Sequence, residues 1–447
     1  MTACIHSRSP CALFEPGSCA EWVMVCEQEG EGMKTRRSSQ FNLASSFRNA
    51  RRSMAWATLC LAFCMLAGLA LSATPSEPFV ITTVDAPGAG TGPNQGTQSI
   101  GINSVGAVTG FYADSNNVVH GFVRAPNGAF TTFEAPGAGA ENVSGFQYTE
   151  SGALGQGTYA VAINDEGAVT GFYADSDSVL HGFLRSPAGN FTTFDAPAAG
   201  TGATQGTWGA GISSEGVIAG YYEDADDTLH GFVRASDGTI TTFDAPGAAT
   251  GNGEGTLVGL NSCINAAGAI AGEYTDSNGL GHSFVRAPNG AITEFEAPGA
   301  ATGNNLPGTQ TYAINELGAA AGAYWDANFV SHGYVRTANG QFINFDVPGA
   351  STEAGQGSSA SDVNSLGVIT GGYTDESGVT HGLVRAFNGK YTTLDVPGVA
   401  ISGAVGTEPV TINEAGAITG VYSNAGYGLG VVHGFIAVAN PLVFLGI

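Results

Sequence analysis

The chain has 447 residues, of which 68 are glycine and only 12% are Asp, Glu, Lys or Arg. That composition excludes a charged helical bundle and fits many turns and short strands. The net formal charge is −24, and downstream of Thr74 only seven basic side chains stand among 33 acidic ones, so the surface should repel nucleic acid and anionic lipid.

The first element in chain order is a leader. Lys34, Arg36, Arg37, Arg48, Arg51 and Arg52 precede an apolar run from Met54 to Leu71, and the small residues Ala70, Ser72 and Ala73 follow it. This is the pattern of a secretory signal, with cleavage expected near Thr74 and the mature protein extracellular or periplasmic. A retained anchor is the alternative, since an apolar run of this length could just span a bilayer. Residues 1–73 are therefore expected to be an N-terminal extension and signal peptide, with Met33 the expected true start. Six of the seven cysteines (Cys4, Cys11, Cys19, Cys26, Cys60, Cys64) precede the cleavage point, leaving Cys263 without a disulfide partner. Leu61-Ala62-Phe63-Cys64 superficially matches a lipoprotein box, but Phe63 is too large for it and the apolar run continues past the cysteine.

Residues 74–440 are one unit written seven times, followed by a tail at 441–447. His120, His181, His230, His282, His332, His381 and His433 are spaced by 61, 49, 52, 50, 49 and 52 residues, near the length of a four-stranded propeller blade. In the second unit the strands are expected at Thr158–Asn164, Ala168–Ala174, Leu180–Arg185 and Phe191–Asp195, each bounded by turn formers. Nowhere in the mature chain does a glycine-free helical period last three turns. The expected fold is all-β, a seven-bladed β-propeller. Phe79–Gly88 copies a fourth strand without its three companions, and Thr407–Ala437 supplies three strands without a fourth. Pairing the N-terminal strand with the C-terminal three would close the seventh blade and remove the exposed sheet edges.

The recurring I-N-x-x-G-x-x-x-G followed by His-Gly-Phe resembles the bacterial extracellular repeats named for a His-Ala-Phe (HAF) tripeptide. It covers nearly all of residues 79–437. The resemblance implies export and a repeat fold but no activity. The chain departs from it with Gly in place of Ala, and further at His282-Ser283-Phe284 and His381-Gly382-Leu383.

A histidine in every unit suggests a ring of metal ligands, but seven symmetry-related positions are too far apart to share one ion, so a hydrogen bond within each blade is expected instead. Tyr112, Tyr173, Tyr222, Tyr274, Tyr324, Tyr373 and Tyr422 should pack between blades with the hydroxyl reaching a partner. Arg124 and its counterparts end the third strands. With a two-residue Asn127-Gly128 turn, Arg124 would face Thr131 and Glu134 would face Gly121, so the arginine stems are expected to cover the outer strand while the charge stays wet.

No nucleophile elbow, zinc helix, phosphate loop or cysteine pair of ligand spacing occurs, so no catalytic residue and no cofactor is assigned. Function is expected where the units differ: Trp208, Trp325, the insertion Gly139–Gln156, Glu273, and the cluster Glu223, Asp224, Asp226, Asp227. Trp208 and Trp325 are either core side chains or stacking faces for a sugar ring. Asp175 with Asp177, and Asp224 with Asp226, have the spacing for a weak calcium site, although Asp is also an ordinary turn former. The expected function is a secreted, non-enzymatic binding or scaffold protein for a glycan or protein partner, monomeric and off the membrane once cleaved. The alternative is a polysaccharide hydrolase or lyase with two acids in a cleft near Trp208 or Trp325.

Overall fold

The computed structural model describes residues 78–141, 155–251, 253–303, 305–399, 406–423, 425, 430–440 and 443. The chain divides into Met1–Ser72 and Ala73–Ile447, and every described residue belongs to the second unit. The leader with Met33, the apolar run, nearly all of the tail and most of the insertion between Gly139 and Gln156 lie outside the described residues.

The described secondary structure is all β, in antiparallel groups of four. β1 (Phe79–Val84) stands first and alone. Then come β2 (Gly96–Ile102), β3 (Val108–Ala113), β4 (Val119–Arg124) and β5 (Phe130–Phe133), followed by β6 (Gly157–Ile163), β7 (Val169–Ala174), β8 (Leu180–Arg185) and β9 (Phe191–Phe194). The third group is β10 (Gly206–Ile212), β11 (Ile218–Glu223), β12 (Leu229–Arg234) and β13 (Ile240–Phe243). The fourth is β14 (Thr256–Val258), β15 (Ile270–Thr275), β16 (Gly281–Arg286) and β17 (Ile292–Phe295). The fifth is β18 (Thr309–Ile314), β19 (Ala320–Trp325), β20 (Ser331–Arg336) and β21 (Phe342–Phe345). The sixth is β22 (Ser358–Val363), β23 (Ile369–Thr374), β24 (Thr380–Arg385) and β25 (Tyr391–Leu394). The last is β26 (Gly406–Ile412), β27 (Ala417–Ser423) and β28 (His433–Ala439), and here β1 is the fourth strand, paired antiparallel from Phe79↔Ala439 to Val84↔Gly434.

The local chemistry explains these elements. In the second group Asn164 ends β6, its side-chain oxygen accepts the Ala168 N–H at 2.9 Å, and Gly167 takes the left-handed conformation that a tight hairpin requires. Strand bounds fall within a residue or so of those expected. The third-to-fourth hairpin corrects the expected register: Arg124 opposes Phe130 and Gly121 opposes Phe133. The turn has three residues rather than two, because Ala125 N–H bonds to Ala129 O and Gly128 N–H to Ala125 O, with Gly128 at φ 90°. Pro126 occupies the first corner of a type I turn, so Asn127-Gly128 cannot make the two-residue turn on its own.

Neighbouring groups are joined in three ways. Apolar side chains of one fourth strand pack into the next group, as Phe133 and Ala135 do against Ala160, Val169, Tyr173 and Phe183. The hydroxyl of a threonine at the start of a first strand accepts the N–H of the preceding Asp-Ala-Pro or Glu-Ala-Pro segment, as Thr158 does from Ala135 at 2.9 Å and Thr207 from Ala196 at 3.0 Å. Finally, the motif asparagines hand a hydrogen bond from group to group. Asn103 donates to Asn164 O, Asn164 to Ser213 O, Asn265 to Asn315 O, Asn315 to Asn364 O, Asn364 to Asn413 O, and Asn413 back to Asn103 O at 2.8 Å. Asn413 thus ties the last group to the first. Val432 pairs there with Gly96 as well.

Candidate functional site

The features shared by every group form a structural device. In the first six groups the third-strand histidine presents Nδ1 to the acid fourteen residues on: His181 to Asp195 at 2.8 Å, His230 to Asp244 at 2.7 Å and His381 to Asp395 at 2.7 Å. Its Nε2 faces the aspartate of the second-to-third hairpin, at 3.4 Å for Asp175 and 3.3 Å for Asp224 and Asp375. The ring stacks on the unit's tyrosine, with centroids 4.9 Å apart for Tyr173 and His181. His433 makes the same bond to Asp85, 348 residues away, at 2.9 Å. The expected hydrogen bond within each group is therefore present, and in the last group it is supplied by β1.

A carboxylate bonded to an imidazole nitrogen favours the charged form of the ring. The bond to Glu134 raises His120 above the ordinary range, and Asp85 does the same for His433. For His381, burial works against the charge but is outweighed by Asp395 and Asp375. The Val379 N–H, against a smaller burial penalty, holds Asp375 down to about 2.

The four acidic candidates are placed by this device. Asp175 accepts the N–H groups of Asp177 and Val179, and Asp224 those of Asp226 and Thr228, while the second oxygen of each faces histidine. Asp177 and Asp226 are exposed. Among the described residues no group of three His, Cys, Asp or Glu is placed to hold a metal ion. Cys263 is fully buried, which pushes its thiol up to about 12.

The arginines correct a second expectation. In five of the six the guanidinium group, partly buried, lies over a fourth-strand ring of the preceding group, as Arg185 does over Phe133 at 4.7 Å, Arg286 over Phe243 at 4.8 Å and Arg336 over Phe295 at 4.6 Å. Burial lowers the pKa of each of these three.

The groups differ along their first and second strands, and there the site lies. Through the first three groups an aromatic string fills the space: Phe111 meets Tyr159 at 5.0 Å, Tyr159 stacks on Phe172 at 4.6 Å, and Phe172 touches Trp208 at 5.7 Å. Trp208 stacks in turn on Tyr221 at 5.1 Å. Beyond Tyr221 the string stops, because the positions in register with it are Glu273, Ala323, Gly372 and Val421. A cavity of about 610 Å³ opens in its place. Its walls include Tyr221, Leu257, Glu273, Tyr312, Trp325 and Glu408. Serines and glycines supply much of the remainder, and among the described residues no Lys, Arg or His lines it.

One wall is irregular. β14 stops after three residues, and the chain continues through Asn261 at φ 66° before Ser262 donates to the buried carboxylate of Asp362 at 3.0 Å. Burial pushes Asp362 up to about 6, even though the Ile412 and Val363 N–H groups also bond to it. The structure thus separates the two tryptophan candidates: Trp208 belongs to the aromatic string, while Trp325 lines the cavity together with Glu273. Tyr312 and Glu408 were not singled out in the sequence. Their one signal was that they break the first-strand pattern of their neighbours.

No family model and no curated protein matches the chain. Among solved structures it is similar to AofleA from Arthrobotrys oligospora, at 12% identity over 73% of this chain and 92% of that one, with TM-score 0.37. It is also similar to the lectin from Aleuria aurantia, described as a six-bladed β-propeller with a fucose recognition mode, at 9% identity over 71% and 95% with TM-score 0.34. The third is the BP39L lectin from Burkholderia pseudomallei, at 11% identity over 80% and 96% with TM-score 0.44.

Proposed function

We propose that the chain is an exported seven-bladed β-propeller that binds a carbohydrate, without catalysis, in the cavity walled by Tyr312, Trp325 and Glu273. The leader and the His-Ala-Phe-type repeat support export. Closure is supported by the pairing of β1 with β28, the Asp85–His433 bond and the return of the asparagine relay from Asn413 to Asn103. The observation that carries the binding function is that the groups stop being alike where the aromatic string gives way to a cavity. Its volume is in the range that encloses a small ligand. Aromatic faces beside amide, hydroxyl and carboxylate groups suit a sugar ring, which has apolar C–H faces and a rim of hydroxyls. A glycan array with the mature protein tests this. Retention of a defined glycan, weakened in Trp325→Ala, is expected; an array without a single retained glycan would overturn it.

A hydrolase is the second possibility, favoured by one observation: Glu273 and Glu408 line the same cavity as Trp325. Such an enzyme needs two acids about 5 to 10 Å apart across the scissile bond. Release of reducing ends from a polysaccharide by the wild type, lost in Glu273→Gln, would establish it. Intact polysaccharide after prolonged incubation would remove it.

A further inference from the structure

We infer that a second hollow, lined by Phe329 and adjoining the cavity, holds the next ring of an oligosaccharide, so that the ligand is a saccharide of at least two rings. The inference rests on the carbohydrate-binding function proposed above. It starts from one backbone conformation. In the first six groups the fourth residue of the hairpin between second and third strands is left-handed: Asn117 at φ 60°, Ser178 at 63°, Asp227 at 57°, Gly279 at 73° and Gly378 at 76°. Glycine and short polar turn formers tolerate that conformation. In the fifth group the residue is Phe329, at φ 64°. A bulky side chain is an outlier there, and strain of this kind clusters at ligand-binding sites. Burial does not offset it, since Phe329 remains 40% exposed.

Its position gives the ring a use. The hollow has a volume of about 430 Å³, and its walls include Glu254, Glu273, Leu306, Pro307 and Gln310 besides Phe329. Three links make it continuous with the cavity. Glu273 lines both. The Tyr312 hydroxyl, in the cavity wall, donates to Gln310 Oε1 in the hollow at 2.9 Å. The Phe329 carbonyl accepts the Gly355 N–H at 2.7 Å, and Gly355 lines the cavity. A saccharide with one ring in the cavity beside Trp325 therefore extends past Glu273 toward Phe329, where a second aromatic side chain suits the apolar face of the next ring.

Titration calorimetry with the mature protein tests this by ligand length. The probes are glucose, cellobiose and cellotetraose; N-acetylglucosamine with its β-1,4-linked dimer and tetramer; and galactose with its β-1,4-linked dimer and tetramer. Within a series that binds, the dimer is expected to bind about tenfold more tightly than the single sugar, as one more stacked ring would give. Phe329→Asn supplies the residue type found at position 117 and relieves the strain. It should abolish the gain from monomer to dimer while melting rises by a few degrees. Phe329→Tyr keeps a ring and should keep the gain. Equal affinity of monomer and dimer in the wild type would overturn the second subsite and leave the carbohydrate function standing. A gain that survived in Phe329→Asn would assign the added contact elsewhere and overturn the role of Phe329. Melting that failed to rise in Phe329→Asn would make the ring a packing element and overturn it as well. Failure of every saccharide would overturn both the subsite and the carbohydrate function.

Discussion

Gly121, Gly182, Gly231 and Gly333 show why glycine follows the third-strand histidine. A Cβ at these positions would meet the ring of Phe133, Phe194, Phe243 or Phe345 at 2.3 to 2.5 Å. The fourth-strand phenylalanine has taken the methyl's space. Gly231→Ala should therefore cost about 1–3 kcal/mol by overpacking, read as a lower denaturant midpoint at unchanged slope. The histidine–acid bonds make a second prediction. His120, His381 and His433 are raised above their ordinary 6.5, so the stability they contribute is complete below that pH and is lost as pH rises through their folded values. Asp362, raised from 3.8 to about 6, acts with the same sign, contributing below 3.8 and losing its contribution as pH climbs past 6. Asp375, lowered to about 2, contributes above 3.8 and fails as pH falls toward 2. Melting temperature should accordingly be higher at about pH 5 than at about pH 8, with a smaller drop in His433→Gln. A rise on the alkaline side would refute the histidine account. The histidine period was legible in the sequence; its acid partners were not, because Asp175 lies in the hairpin 6 residues before His181 and Asp195 just past the fourth strand, 14 residues after it.

At the scale of strands and turns, β1 was legible because it repeats the fourth-strand sequence without companions. Deleting Phe79–Val84 strips six residues of pairing from β28 and should lower melting by roughly 10 °C or more, with a shift to larger species on gel filtration. Unchanged melting would show that this strand does not hold the last group together. The asparagine relay was not legible, because the sequence shows the asparagines recurring but not the carbonyl each one reaches in the next group. Ser213 is where it breaks: it accepts from Asn164, but its short side chain bonds only to its own Val217 N–H, at 3.2 Å. Ser213→Asn should restore the missing donor toward Asn265 and stabilise by about 1 kcal/mol, seen as a rise of a few degrees in melting. A fall would mean that the irregular segment after β14 has moved that carbonyl out of reach. Hairpin register was misread by one residue because an Asn-Gly pair suggests a two-residue turn, whereas the proline before it starts a longer one.

Over the whole molecule, the site was half legible. Glu273 and Trp325 stood out as departures from the repeat, but the cavity between them comes from side chains that are missing: Ala323 and Gly372 stand where Phe111, Phe172 and Tyr221 stand earlier. Absence of bulk at two positions cannot be recognised as a cavity until the register is known. The two tryptophans should now part company. Trp208→Ala removes a link of the aromatic string and should cost about 3–5 kcal/mol, whereas Trp325→Ala, at the cavity wall, should cost far less stability and weaken the proposed glycan retention. Equal loss of stability in both would place Trp325 in the core.

The pairing of Phe79 with Ala439 also sets a schedule for synthesis. β1 is the first described strand to leave the ribosome and β28 the last. At about 5–20 residues per second, β1 is made tens of seconds before its partner exists. During that interval the complete groups between them can fold as each is finished, but Phe79 and Val84, both buried in the finished protein, have nowhere to go. The edge of β1 therefore stays unpaired until β28, which begins at His433, has been made.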